Sequence, residues 1–301
     1  MNAIEITILS IIVMIALGYV LKRIDFLSEE DITPLNKLVM NILMPCMIFS
    51  ALYSTDLSLV PRLGVLPFII LASSFVCGTI AFLILKKRNL DDRRMWSIIV
   101  TVMIANTAFM GYPVNLGIFG QAGFLRAIFC DLATLCIFLI LSFVLIIKFG
   151  GTIKTAVRKI LLFPPLWAVV LGLGLNFLSV PIGPVLDNVT GYLGDGALPI
   201  IMISLGLSIN LEGIKRSRNA AVFTTVIKLG IFPLIAFAIA SLINLSGLEF
   251  SVSVVEAAMP SGMMSLLLAI TYKLDYHLTS DCILTNTVLS LITLPIILTI
   301  I

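Results

Sequence analysis

Apolar and polar residues do not alternate along this chain. Apolar residues run on in blocks, and polar residues collect between them. Ten such blocks can be drawn, near 3–22, 32–53, 61–85, 93–120, 122–147, 157–178, 184–209, 219–244, 250–272 and 278–300. Each can cross a hydrocarbon core of about 30 Å, which takes roughly 20 helical residues. The period-two alternation of a membrane β-barrel is absent. No polar stretch between the blocks is long enough for a separate soluble domain. The pattern predicts an all-α polytopic membrane protein with ten transmembrane helices.

Composition agrees. Of the 301 residues, 60% are hydrophobic and 12% are charged, and the mean hydropathy is +1.17. A water-soluble fold could not hide that much apolar surface, so lipid must be the solvent.

Charge then orients the chain. In the ten-span arrangement, sixteen of the nineteen Lys and Arg residues fall on one side, with clusters at 86–94 and 215–218. The other side carries Arg62 and Arg126, and Lys228 is left inside a span. The positive-inside rule puts the rich side in the cytoplasm and both termini outside a cell membrane. The basic clusters are expected to set topology and touch anionic lipid rather than bind nucleic acid. Lys22 and Arg23 follow the first apolar block instead of preceding it, unlike a cleaved signal peptide. The five cysteines, 46, 77, 130, 136 and 282, fall within spans and read as packing residues. The one histidine, His277, is expected in a short loop, and no metal-ligand spacing occurs.

The fourth block contains IANTAFMGYPVNLGIFG, residues 104–120, with Asn106, Thr107, Gly111, Tyr112, Pro113 and Asn115 close together. Proline lacks an N–H and clashes with the carbonyl four residues back, so a helix break is expected at Gly111–Pro113. The ninth block has a counterpart at Pro260, Ser261 and Gly262. Ten spans divide into five and five, and an odd number makes similar halves inverted. Interrupted helices at matching places in two halves point to a transporter's binding site. Each restarted half-helix would direct free N–H groups and a partial positive charge to the midplane, a place for a carboxylate. Asn106, Thr107, Asn115 and Ser261 can add side-chain hydrogen bonds. Pro45 and Pro199 read as simple kinks, with Asn41 and Asp195 one turn earlier to satisfy freed backbone groups.

Ionisable groups inside a membrane are costly, which singles out Asp131, Lys228 and Glu256. For Glu256 three roles compete: cation ligand, proton carrier or partner of Lys228. Asp131 is the other candidate partner of Lys228. Asp187 and Asp281, near span ends, are expected to be solvated.

These motifs carry a family resemblance. NTAFMGYP at 106–113 resembles the crossover motif of the PIN exporters and the wider auxin efflux carrier family. EAAMPSG at 256–262 resembles its counterpart in the ninth span, SLGL at 204–207 the seventh and KLGIFP at 228–233 the eighth. The long cytoplasmic loop of PIN proteins is missing, so the chain is similar to the compact members, which include malate and malonate carriers. The resemblance implies two inverted five-helix repeats, 1–149 and 150–301, with broken, crossing helices 4 and 9. It also implies a scaffold of helices 1, 2, 6 and 7, a transport domain of helices 3–5 and 8–10, elevator movement and a homodimer. The family's substrate-binding asparagine maps onto Asn106. Two departures stand out. An Asn-Pro pair near the sixth span is here Phe163–Pro164, which argues against auxin itself. Glu256 stands where PIN exporters carry Gln, a candidate for coupling to Na⁺ or H⁺.

The expected function is therefore secondary transport of a small organic anion, without a cofactor. An intramembrane enzyme lacks its signatures here: there is no HExxH, no Gly-x-Ser-x-Gly and no histidine within a span. No phosphate-binding GxxxxGK[ST] loop for ATP-driven pumping appears either. A channel and a Na⁺-coupled symporter of the bile acid type, which shares a crossing-helix fold, remain as alternatives.

Overall fold

A computed structural model describes residues 3–88, 90–209 and 217–301, with side chains left undescribed at 3–5, 155, 156, 159 and 160. Lys215 and Arg216 of the basic cluster lie outside the described residues. The described chain is helical throughout; its one bridge of β type joins Ala105 and Ser261.

Seven helical runs among the described residues are long and apolar enough to cross a membrane. They are Ile6–Arg23, Glu29–Tyr53, Leu57–Lys86, Thr107–Phe149, Gly183–Leu207, Arg218–Leu242 and Tyr276–Leu298. Three of the ten predicted blocks fail the length test because their helices are interrupted. The block at 93–120 splits into Asp92–Met103 and a restart at Thr107. Its second half continues into the fifth block as one run, bent at Gly120, whose φ of 64° and ψ of −160° suit glycine. The block at 250–272 splits into Gly247–Ala257 and Met263–Thr271.

The third interruption corrects the expectation of one span over 157–178. A short helix, Ile153–Leu161, ends and a new one starts at Pro164. Phe163 takes the extended conformation that a following proline favours, and Pro164 and Pro165 fill the first helical turn. The Ile153–Leu161 helix carries exposed Ile153, Val157 and Leu161 along one stripe, with Lys154 and Arg158 on another.

Three wide π turns share one feature: each ends two residues before a proline. They are Val39–Leu43 before Pro45, Thr107–Gly111 before Pro113, and Val226–Ile231 before Pro233. A proline ring needs room against the preceding turn, and a π turn supplies it without ending the helix. Pro45 is thus accommodated rather than simply kinked, and Asn41 Nδ2 donates to the Lys37 carbonyl at 2.7 Å.

The chain forms two compact units. Among the described residues, one comprises those within 1–62, 116–125 and 158–209, and the other comprises those within 63–115, 126–157 and 210–301. In the first, the Ala3–Arg23 helix packs on Ala197–Leu207, and Met44–Tyr53 packs on Pro164–Phe177 and Gly183–Asp195. Backbones touch where glycine removes the side chain. A Cβ on Gly18 would lie 2.2 Å from the Ile203 carbonyl oxygen, and one on Gly206 would lie 2.0 Å from that of Ile15. Such small-residue contacts are how membrane helices pack without a hydrophobic driving force. Asn176 Nδ2 donates to the carbonyls of Leu52 and Thr55, closing the end of the Met44–Tyr53 helix.

In the second unit the Val65–Lys86 helix packs on Asp92–Met103 and Phe232–Leu242. Tyr276–Leu298 packs on Arg218–Thr225, Asp92–Met103 and Met263–Thr271. His277 is not in a loop but in the first turn of this last helix, its ring 4.0 Å from that of Tyr276. Asp281 is buried rather than solvated and accepts from Ser217 Oγ at 2.6 Å. Asp187 is exposed.

Candidate functional site

The two interrupted helices of the second unit meet at their gaps. Asn106 N donates to the Pro260 carbonyl at 2.7 Å, and Gly262 N donates to the Ile104 carbonyl at 2.9 Å. These bonds make Ala105 and Ser261 an antiparallel bridge. Backbone groups freed inside a membrane protein must find partners, and here each gap supplies them to the other. Ser74 Oγ covers one further freed carbonyl, that of Met103, at 2.8 Å.

This geometry corrects the position of the first break. It lies at Ile104–Asn106, about two turns before Pro113, because the π turn Thr107–Gly111 absorbs the proline. Asn106, with φ −88° and ψ 56°, stands at the head of the restarted helix without a side-chain capping bond and is 5% exposed. The second gap covers Ala258–Gly262, with Gly262 extended at the start of the Met263 helix. Both restarts begin beside the bridge, so the free N–H groups of two helix N-termini gather there.

All the predicted site residues fall in this one unit. Pro113, Pro260, Ser261 and Gly262 are buried in it. Asp131 accepts hydrogen bonds from the hydroxyls of Thr107 and Tyr112, the latter at 3.0 Å, and Thr107 also bonds Thr134 at 2.9 Å. These contacts give Asp131 hydroxyl partners, not the ammonium of Lys228 that the sequence offered.

Glu256 is fully buried. Its Oε1 accepts from Asn115 Nδ2 at 2.7 Å, and the same Nδ2 donates to the Gly111 carbonyl at 2.9 Å. The carboxyl lies flat against Gly111: a Cβ built there would be 2.3 Å from Oε2 and 2.4 Å from Oε1. Glycine at 111 is therefore a requirement of contact, independent of backbone angle. Lys228 is also fully buried, in the π turn before Pro233. Its Nζ has no hydrogen-bond partner and sits 3.4 Å from the centre of the Phe232 ring. Lys228 and Asp131 are within electrostatic reach of Glu256 but are not bonded to it.

The model of the membrane transport protein family matches residues 3–155 and 151–298. The chain belongs to that family. It is similar to an uncharacterised transporter of Methanothermobacter thermautotrophicus, with 41% identity over 96% of each chain. It is also similar to an uncharacterised transporter of Methanocaldococcus jannaschii, with 33% identity over 96% of each. The resemblance to auxin efflux carriers read from the crossover motifs holds at the level of the family, and transport is the class of activity that the family and both relatives share.

Three contributions to the transporter's crossing went unread in the sequence. Asn286 Nδ2 donates to Ser261 Oγ at 2.8 Å, and Thr225 Oγ1 donates to Asn286 Oδ1 at 2.6 Å. An amide inside an apolar block was the available signal. Ser74 was not distinguishable from other small polar residues. Arg126 and Glu249 form a buried ion pair at 2.7 Å in the same unit, with side chains 11% and 4% exposed. The sequence places Arg126 only on the side poor in Lys and Arg, and its distance from Glu249 along the chain hides the pairing.

Proposed function

We propose that this protein is a secondary transporter of a small organic anion, a carboxylate in the first instance, working by elevator-type alternating access. The observation that carries the reading is the bridge between Ala105 and Ser261. It gathers two helix N-termini and the Asn106 amide at one place, an arrangement suited to a carboxylate. The substrate-binding set is Asn106, Thr107, Gly111, Tyr112, Pro113 and Asn115 from one gap, with Pro260, Ser261 and Gly262 from the other. Glu256, Asp131 and Lys228 serve coupling to Na⁺ or H⁺.

The proposal includes ten membrane segments in two inverted repeats, 1–149 and 150–301, with both termini outside the plasma membrane. The double match of the family model, to 3–155 and 151–298, supports the two halves. The elevator reading draws support from the two compact units. The first contains the predicted scaffold segments, and the second contains the two gaps that would travel together. A homodimer through the scaffold belongs to the same reading. Phe163 caps a helix with no side-chain hydrogen bond, so it offers nothing like the Asn of the auxin carriers. A dicarboxylate of the malate kind is the preferred substrate.

The test is uptake into proteoliposomes across a panel of labelled carboxylates, with and without unlabelled substrate inside. Acceleration by internal substrate supports a carrier; flux that neither saturates nor shows counterflow sinks it in favour of a channel. The second reading, a Na⁺ symporter of the bile acid type, is favoured by the buried acid at 256. Replacing Na⁺ would then abolish uptake.

A further inference from the structure

Two oxygen atoms at the crossing are buried and unpartnered. One is Glu256 Oε2 and the other is Asn115 Oδ1. They belong to side chains already joined by the bond from Asn115 Nδ2 to Glu256 Oε1 at 2.7 Å. Asn115 is not free to turn its oxygen elsewhere, since Nδ2 also holds the Gly111 carbonyl. An ionised carboxylate only accepts hydrogen bonds, and an amide oxygen only accepts. With Glu256 ionised, the site would bury a charge and two acceptors with no protein donor to satisfy them, a costly arrangement.

A proton on Oε2 removes the charge and makes that atom a donor, on a carboxyl already joined to the side chain whose amide oxygen needs one. A carboxylic acid and a primary amide are complementary in this way: N–H to one oxygen, O–H to the other. A metal cation fits less well. Hard cations take about six or more oxygen ligands, whereas the unpartnered buried side-chain oxygens beside Gly111 are two. The contact of the carboxyl with Gly111 also leaves no room on that side. Lys228 does not meet the need, because its own Nζ is unpartnered.

We propose that Glu256, paired with Asn115, is a proton-binding site and holds a neutral acid in this state. The groups that face it are Asp131, Tyr112 and Cys130 from the Tyr112–Phe149 helix and Lys228 from the π turn, with Cys77 beside Lys228. With Glu256 neutral, Asp131 and Lys228 balance, and an anion can enter without net repulsion. With Glu256 ionised, two negative groups face one positive group. Proton and anion therefore bind together, and the protein carries them in the same direction. The proton comes from water on one side of the membrane and returns to water on the other. The binding site stands on the geometry alone; the coupling rests on the transporter reading above.

The test is infrared spectroscopy of the full-length protein in lipid at neutral pH, which needs no known substrate. The carbonyl stretch of a protonated carboxylic acid is expected in the wild type. It should be lost in Glu256→Gln, retained in Asp131→Asn and displaced in Asn115→Leu, where the amide partner is gone. Heavy-carbon labelling of glutamate should shift the same band in the unmutated chain, which covers the case of a variant that does not fold. No acid band, or one lost in Asp131→Asn and kept in Glu256→Gln, overturns the proposal. So does a band removed by Na⁺ salts and not by K⁺ salts, which marks a cation site. A correct band in a protein that transports no carboxylate would sink the organic-anion reading and leave the proton site standing. Carboxylate transport without the band would do the reverse.

Discussion

Ala105 and Ser261, 156 positions apart in the sequence, face each other as an antiparallel bridge where two helices are interrupted. Each gap satisfies backbone groups that the other leaves free, so neither break is stable alone. The second gap depends on Gly262, where a Cβ would lie 2.5 Å from the Ala105 carbonyl oxygen. Gly262→Ala should force the bridge apart and cost about 1–3 kcal/mol, the usual range for overpacking. A thermal melt in detergent checks this; an unchanged melting temperature would contradict the bridge.

Gly111 holds the Glu256 carboxyl in place by having no side chain. Gly111→Ala should lower stability and break the bond from Asn115 to Glu256. Shortening the acid in the double variant Gly111→Ala/Glu256→Asp withdraws the carboxyl by one methylene. The melting temperature should then recover in part, and a double-mutant cycle would show coupling between the two positions. Additive losses would show that the contact is not the cause.

The Arg126–Glu249 pair predicts opposite results for single and paired changes. Arg126→Ala leaves the Glu249 carboxylate buried without its guanidinium, a loss of about 3–5 kcal/mol. Arg126→Met/Glu249→Leu removes both charges and should be near neutral or more stable. Denaturation of the three proteins side by side tests this, and a double variant as weak as the single one would refute it.

Glycines in the first unit divide by what surrounds them. Gly206 lies against the Ile15 carbonyl, whereas a Cβ on Gly174 would meet nothing within 4 Å. Gly206→Ala should destabilise by at least about 1 kcal/mol. Gly174→Ala, inside the Pro164–Phe177 helix, should be neutral or stabilising by up to about 1 kcal/mol. The melting temperature of Gly206→Ala should fall, and that of Gly174→Ala should stay or rise.

Much of the architecture was legible because lipid imposes long apolar blocks on any helix that crosses it. The sites of interruption were less so. Pro113 looks like a breaker, yet the π turn before it keeps the helix going and the break falls at Ile104–Asn106. Nothing in residues 104–105 marks a break, since the partner that stabilises it is at 260–262. The Leu162–Phe163 gap had a local signal in Pro164 and Pro165, hidden by the apolar residues on both sides. The candidate site residues stood out because polar groups in an apolar block are conspicuous. Their pairing was not, because which hydroxyl meets Asp131, or which amide meets Glu256, depends on contacts between distant segments.

The central claim, that the crossing binds a carboxylate, is tested most directly by thermal stabilisation. Purified wild type and Asn106→Ala would be melted against a panel of mono- and dicarboxylates, with and without Na⁺. A ligand that binds the folded state raises its apparent stability by mass action. The account predicts that at least one carboxylate raises the melting temperature of the wild type and fails to raise that of Asn106→Ala. A panel that shifts neither protein, or shifts both equally, would contradict it.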